Sequence, residues 1–133
     1  MPGIDESLLD AMRVTGARGA SVVDWISGLS LGSVGEASSG DHEVTATETA
    51  EFARSALESG AFTRQGGDPV APGGPPPVED LVVTTPDSYH VLRFVGTRFE
   101  STVFLHLWID RAAGNLALAR IRLADTADRL VLG

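Results

Sequence analysis

The segment at residues 102–109, Thr-Val-Phe-Leu-His-Leu-Trp-Ile, constrains the fold most, because it is apolar at both sets of alternate positions. Successive side chains of a β-strand point to opposite faces of the sheet, so a strand with this sequence has two apolar faces to bury. A strand buries both faces when it lies inside a sheet that is covered on each side. The segment therefore predicts a central strand in a sheet with helices on both faces.

Three segments of the chain repeat apolar residues at the three- and four-residue spacing of an amphipathic helix. The buried face of the second helix is built mainly of alanine, joined by Phe52 and Ala56, and small side chains let another element approach closely. Asp41 or Ser39 is a candidate N-cap for this helix, and Asp110 for the last one. The predicted helices are residues 4–14, residues 42–59 and a C-terminal segment with the stripe Leu116, Ala119, Leu123, Ala127 and Leu130.

Runs of β-branched and apolar residues between turn-forming residues predict five strands. The Ser27-Gly28 turn joins the first two strands into a hairpin, and Pro86-Asp87-Ser88 joins the third and fourth. A polar loop rich in glycine and serine, residues 33–41, separates the second strand from the second helix. The predicted strands are residues 19–25, 29–31, 78–85, 89–95 and 101–109.

The element order α-β-β-α-β-β-β-α on 133 residues predicts one α+β domain, residues 1–133, with a five-stranded mixed or antiparallel sheet and helices on both faces. Residues 63–77 are rich in proline and glycine, as linkers and exposed loops are. A domain boundary at this point would leave two halves that are each too small for a sound core. We therefore predict that residues 63–77 form a flexible loop within the single domain.

The charged residues are ten arginines and 18 acidic residues, with no lysine, and the net charge is −8. Nucleic acid is a poor partner for such an acidic surface, and the absence of lysine excludes a P-loop NTPase. The chain has no cysteine, which excludes disulfides, thiolate nucleophiles and thiolate metal ligands. It has neither an apolar stretch of about 20 residues nor a signal peptide, so we expect a cytoplasmic protein without membrane insertion.

Three histidines and one acid on a strand are the candidates for chemistry. His90 and His106 fall on neighbouring predicted strands and can approach each other, whereas His42 starts a helix. No metal-ligand spacing connects them, and a structural role is the simpler interpretation for each. Asp24 is either a buried functional acid or a residue that ends the first strand or faces water. Because no Gly-x-Ser-x-Gly motif is present either, we predict a protein that is not an enzyme and uses neither a metal nor a cofactor.

Two sets of exposed polar residues are candidate contacts for a partner protein. Arg64 and Arg98 lie in predicted loops, where an arginine can stabilise the charge of phosphoryl transfer or simply remain solvated. The second helix carries a mostly acidic face, which is either a docking surface for a basic partner or an ordinary solvated face. This face consists of Glu48, Glu51, Arg54, Ser55 and Glu58.

The strand at residues 78–85 is the candidate homodimer edge. An apolar strand at the edge of a sheet exposes unpaired backbone groups, and a second copy of the chain can pair with them by symmetry. Backbone amides alternate in direction along such a strand, so one of the changes Leu81→Pro and Val82→Pro removes an outward-facing donor. The candidate edge residues are Val78, Leu81, Val82 and Val83.

The order and spacing of these elements resemble the Roadblock/LC7 domain family over residues 7–130. The resemblance depends on the alanine-rich second helix and on a central strand that leads through an acidic residue into the C-terminal helix. The matching segments are Leu8-Leu9, residues 20–25 with the Ser27-Gly28 turn, the helix at residues 45–57, the hairpin at residues 78–95 and the strand at residues 103–110 with its helix.

The resemblance implies a Roadblock/LC7, profilin-like fold that forms symmetric dimers by joining sheets edge to edge. It also implies a regulator or scaffold for small Ras-like GTPases or motor complexes, and in bacteria a partner of a GTPase, a sensor kinase or other roadblock-like chains. A small-molecule-sensing module of the PAS, GAF or profilin-like kind is the alternative, because it also places helices around a five-stranded sheet. A sensor needs a ligand-sized cavity, whereas an adaptor needs a filled core and an exposed sheet edge.

Overall fold

A computed structural model describes residues 3–62, 77–96 and 102–130 of the chain. Within these residues, three α-helices and five strands follow one another in the predicted order α-β-β-α-β-β-β-α. The helices are α1 (Ile4–Ala11), α2 (His42–Glu58) and α3 (Leu116–Arg129), and a short 3₁₀ turn (Gly60–Phe62) follows α2. The strands are β1 (Ala17–Asp24), β2 (Ser30–Gly35), β3 (Asp80–Thr84), β4 (Ser88–Phe94) and β5 (Val103–Asp110).

Some sequence predictions fall on parts of the chain that the structure does not describe. The predicted flexible loop at residues 63–77 lies outside the described residues except for Pro77, and so do Arg64 and Arg98. None of the helices in the described residues is long and apolar enough to cross a membrane.

The five strands form one sheet in the spatial order β2-β1-β5-β4-β3. Every pairing between neighbouring strands is antiparallel. The sheet therefore has the antiparallel form, which is one of the two forms that the sequence predicts. β5 lies in the middle, as the apolar segment at residues 102–109 predicts. β2 and β3 are therefore the two edges of the sheet.

Helices cover both faces of the sheet, and the alternation of side chains along β5 supplies a core to each face. Its odd-numbered residues, with Val22 of β1 and Val91 of β4, pack against α1 and α3. Phe104 points to the opposite face, where it packs with Val23 and Leu92 beneath α2. Both faces of the central strand are thus buried, which explains why it carries no alternation of polar and apolar residues.

The helix α2 packs against the sheet through alanines, as its sequence predicts. Ala46, Ala50 and Ala53 are almost fully buried against the sheet, and Ala56 is buried beside them. The prediction that Phe52 joins this buried stripe is wrong, because its side chain is 45% exposed. Phe52 lies on the flank of the helix, where it borders a groove rather than the core.

The two predicted helix caps have different outcomes. Asp41 caps α2 as predicted, and its Oδ1 accepts a hydrogen bond of 2.8 Å from the Glu43 backbone N–H. Asp110 does not cap α3: it ends β5, and its carboxylate accepts from the Ala112 backbone N–H. A turn separates the strand from the helix, so Asn115 becomes the cap instead, with its Oδ1 accepting from the Leu118 N–H at 3.0 Å.

Other boundaries also differ from the predictions. The loop predicted at residues 33–41 begins three residues later, because β2 runs to Gly35 and pairs Val34 with Ala20 of β1. α1 ends at Ala11 rather than at residue 14. Small and polar residues obscure the end of β2, which its backbone pairing with β1 decides. At the end of α1 the apolar pattern continues through Met12 and Val14, but the backbone bonds become those of a turn.

Removal of the Asn115 cap should destabilise the fold measurably. We expect Asn115→Ala to lower the free energy of unfolding by about 1 kcal/mol, because it leaves an N–H of the first turn of α3 without its acceptor. Urea denaturation followed by circular dichroism measures the change. Asn115→Asp keeps an acceptor at the same position and is the matched control. Equal losses in the two variants would contradict the capping role.

Candidate protein-interaction surfaces

The edge strand β3 has one neighbour, β4, within the described residues. The Thr85 N–H donates to the Ser88 carbonyl at 2.9 Å, and the Phe94 N–H donates to the Glu79 carbonyl at 3.0 Å. Because hydrogen-bonded pairs alternate in an antiparallel ladder, these two bonds set the direction of every amide between them. Leu81 therefore bonds inward to β4, whereas the N–H and C=O of Val82 point away from the sheet.

The side chains of β3 are only partly covered. Val82 and Val83 are each 37% exposed, on opposite faces of the sheet. Leu81 and Val78 are half-buried against the core beneath α2. The four candidate edge residues thus lie together at an edge that no other described strand covers, with apolar surface on both faces of the sheet.

An apolar groove runs beside this edge between α2 and the strands β3 and β4. Its cavity has a volume of about 220 Å³. Phe52 and Thr49 of α2 line one side, and Val83 and His90 line the other. Half-exposed apolar side chains next to an unpaired strand edge form a surface whose burial by a partner is favourable in free energy.

The outer face of α2 is acidic. Glu48, Glu51 and Glu58 are exposed, and so is Ser55. Arg54 differs from its predicted neighbours, because it is half-buried and its guanidinium donates to the Trp25 carbonyl at 3.0 Å. It ties α2 to the end of β1 and leaves the outward face with acidic and neutral residues.

His90 and His106 meet across β4 and β5 at the inner end of the groove. His90 Nδ1 and His106 Nε2 lie 2.9 Å apart, so one donates a hydrogen bond to the other, and the rings are stacked with their centroids 5.2 Å apart. Burial, and then the nearby His90 and His42, lower the pKa of His106 to about 3. Burial lowers the pKa of His90 too, against the opposing charge of Asp87. The lowered pKa values of His106 and His90 favour the neutral form of both rings.

The remaining candidates for chemistry have structural roles. Asp24 ends β1, and its Oδ1 accepts from the Ile26 N–H at 2.8 Å in the hairpin turn. The His42 ring is bonded to the Gly35 carbonyl at 3.0 Å. No group of three or more histidines and acids among the described residues is arranged to hold a metal ion.

The space between the start of α2 and the sheet tests the prediction of a filled core. The enclosed volume there is about 10 Å³, which is roughly the size that one water molecule needs. Ser21, Thr45, His106 and Trp108 are among the residues around it. The described residues have no room for a small-molecule ligand at this point.

The sequence matches no known protein family and no curated protein, whereas the folded chain is similar to several solved structures. One is the Roadblock/LC7 domain from Streptomyces avermitilis, with a TM-score of 0.70 and 16% identity, which covers 95% of this chain and 92% of that one. Another is MglB from Myxococcus xanthus, at 0.65 and 22%, covering 94% and 79%. MglC from Myxococcus xanthus matches at 0.60 and 19%, covering 93% and 92%.

The chain has the Roadblock/LC7 fold. The resemblance inferred from the order and spacing of the elements is confirmed at the level of the fold, at 16% identity to the Streptomyces avermitilis domain. This outcome is physically reasonable, because a fold of this kind depends on periodicity and burial rather than on particular catalytic residues.

Sequence reasoning missed two features of this Roadblock/LC7 fold. It placed Phe52 in the core. A bulky ring in a stripe otherwise made mainly of alanine indicates that its position is packed less closely against the sheet than the alanine positions are. It also gave no role to β2, the second open edge of the sheet. The polar residues between β2 and α2 hide this edge in the sequence, because they look like an ordinary loop.

Proposed function

We propose that this chain is a homodimeric, non-catalytic adaptor that binds a small Ras-like GTPase in the cytoplasm and modulates its nucleotide cycle or its location. The observation that carries the proposal is the open β3 edge beside the Phe52 groove. The Roadblock/LC7 fold supports it, because resemblance to that family implies edge-to-edge dimers and GTPase regulation. A sensor kinase and other roadblock-like chains are further candidate partners on the same ground.

The first partner in this proposal is a second copy of the chain. Antiparallel pairing of two β3 strands joins the sheets and gives partners to the outward N–H and C=O groups of Val82. The same symmetry brings the two α2 helices together over the groove and covers Phe52 and Val83 of each copy. An isologous interface of this kind buries the half-exposed apolar groups that the single chain leaves in water.

The GTPase then docks on the outer faces of the paired α2 helices. Dimerisation places two copies of Glu48, Glu51 and Glu58 on one surface, and a basic patch on the GTPase complements them. Charges of this type act mainly on the association rate and on the choice of partner. Regulation through contacts requires no catalytic group from this chain.

A small-molecule sensor of the PAS, GAF or profilin-like kind remains the alternative function. The space between the start of α2 and the sheet, about 10 Å³, and the open form of the larger grooves beside α2, about 220 and 530 Å³, favour the adaptor, because a sensor requires a cavity that can surround a ligand. Light scattering of the purified chain at micromolar concentration, followed by affinity capture with the small GTPases of the same genome, tests the proposal. A monomer, or a dimer that retains no GTPase, would contradict it.

Charge reversal on α2 should weaken GTPase binding without unfolding the domain. We expect Glu51→Arg with Glu58→Arg to raise the dissociation constant about tenfold at low ionic strength, because attraction to the basic surface becomes repulsion. The effect should shrink as salt screens the charges. Surface plasmon resonance at low and high ionic strength measures both results.

A matched control for this experiment carries the same change in net charge on the other face of the sheet. Glu6→Arg in α1 with Asp128→Arg in α3 alters two residues that lie on the side away from α2. This variant should bind the GTPase with nearly unchanged affinity. If it weakens binding as much as the α2 variant does, the effect belongs to overall charge and not to the α2 face.

A further inference from the structure

We propose that the cleft between α1 and α3 binds a short peptide whose amino and carboxyl termini are both free. Both helices pack on the face of the sheet away from α2. The inference therefore goes beyond dimerisation and GTPase binding and depends on neither. A buried hydroxyl group without a partner, two unpaired charges of opposite sign and the spacing of those charges support it.

Ser7 of α1 brings a buried hydroxyl group to this cleft. The cavity has a volume of about 280 Å³, close to the lower limit of about 300 Å³ that is usual for ligand pockets. Ser7 lines the cavity and is 1% exposed, yet its Oγ has no hydrogen-bond partner among the described residues. Buried polar side-chain atoms are nearly always hydrogen-bonded. The hydroxyl group therefore indicates that a polar ligand occupies the cleft.

A hydrogen-bond network between the two helices holds the cleft in shape. The Thr126 hydroxyl group donates to Asp10 Oδ2 at 2.7 Å, and the Arg129 guanidinium donates to the same oxygen at 3.1 Å. Arg129 also pairs with Asp125 at 2.9 Å. These groups satisfy one another within the protein, so they fix the positions of α1 and α3 and need no charge from a ligand.

Two other charged residues that line the cleft, Glu6 and Arg13, are unpaired. Both are exposed, and neither forms an ion pair with another described residue. A simple anion in the cleft would meet the Glu6 carboxylate, and a simple cation would meet the Arg13 guanidinium. A ligand that carries one charge of each sign can pair with both residues. The occupant is therefore a zwitterion.

The spacing of the two charges sets the length of the ligand. Arg13 lies seven residues after Glu6, which is about 10 Å along a helix. An extended peptide spans at most about 3.5 Å per residue, so a tripeptide covers this distance. Its ammonium group pairs with Glu6 and its carboxylate with Arg13, while a peptide group between them bonds to the Ser7 hydroxyl group, which can donate or accept. Leu9, a 61% exposed residue of the lining, offers apolar contact to a small side chain.

Four synthetic peptides test the proposal on the full-length chain. The probe is unmodified trialanine. N-acetylated trialanine lacks the ammonium group, and C-amidated trialanine lacks the carboxylate. The fourth peptide, Lys-Ala-Asp blocked at both ends, carries its charges on side chains, as a segment of a partner protein would. We expect saturable NMR shifts centred on Ser7, Arg13 and Thr126 with the probe, and about tenfold or more weaker binding of the three blocked peptides, because each lacks at least one charged terminus.

The substitution Ser7→Ala separates a binding role of the hydroxyl group from a structural one. We expect it to weaken binding of the probe severalfold and to leave the stability of the free protein unchanged or higher, because a buried hydroxyl group without a partner does not stabilise the fold. Urea denaturation without peptide measures the second result. A loss of stability in Ser7→Ala would show that the hydroxyl group already has a partner within the protein, and would overturn the proposal.

Two variants with the same substitution locate the site. Arg13→Gln should weaken binding of the probe about tenfold. Arg122→Gln, at an exposed arginine of α3 that does not line the cleft, should leave it unchanged. Three results would overturn the proposal: no saturation at up to about 10 mM of the probe, equal binding of any blocked peptide, or equal loss in the two variants. Probe binding by a protein that proves monomeric, or that retains no GTPase, would leave this inference standing and remove only the proposed function.

Discussion

The substitution Val82→Pro should convert the dimer into a monomer with a largely intact fold. Val82 directs its N–H away from the sheet, so proline removes a donor to the second copy and keeps the ladder between β3 and β4. Symmetry removes the same donor twice. We expect the dimer dissociation constant to rise roughly 30-fold or more, which corresponds to about 2 kcal/mol for two lost hydrogen bonds. Analytical ultracentrifugation over a concentration series measures it.

The neighbouring residue provides the contrast. Leu81 bonds inward to β4 and its side chain packs on the core beneath α2, so Leu81→Pro should unfold or strongly destabilise the domain. Val82→Thr, which retains the N–H and the branched shape, should leave the dimer intact. A Val82→Pro protein that is still dimeric at low micromolar concentration would show that the β3 edge is not the interface.

Mild acid should destabilise the domain through His106. An unfolded histidine has a pKa of about 6.5, whereas the pKa of the buried His106 is lowered to about 3. The unfolded chain therefore binds more protons between these values. The stability that the fold gains from holding His106 in its neutral form is complete at pH values above the pKa of the unfolded histidine. It is lost as the pH falls below that pKa. From about pH 7 to about pH 5 the free energy of unfolding should fall by about 2 kcal/mol from this residue.

Urea denaturation at a series of pH values measures this loss. The lowered pKa of His90 acts in the same direction, while protonation of carboxylates contributes mostly at lower pH. His106→Gln keeps a polar partner for His90 and removes the titrating group, so its stability should change much less between about pH 7 and about pH 5. His42→Gln, at a half-buried ring, is the control and should retain most of the pH dependence. An unchanged slope in His106→Gln would show that another group is responsible.

The predictability of the interaction surfaces from sequence varies from residue to residue. Val82 and Val83 lie on β3, which is an edge strand of the sheet. A strand that follows a Pro/Gly-rich segment and pairs with its hairpin neighbour is more easily accommodated at an edge than inside the sheet. The exposed acids Glu48, Glu51 and Glu58 follow from helical periodicity. The hydrogen bond from Arg54 to the Trp25 carbonyl does not follow from helical periodicity, because it depends on how α2 approaches the end of β1.

The amino-acid sequence alone predicts the element order, the central position of β5 and the alanine packing of α2. Each of these follows from local periodicity and from the need to bury apolar side chains, both of which can be read along the chain. The tertiary structure alone decided which amides of β3 point outward, that Phe52 borders a groove, and that His90 and His106 share a hydrogen bond. The amide directions and the histidine pair depend on strand register, and a shift of one residue would reverse them. The position of Phe52 depends on how α2 packs against the sheet.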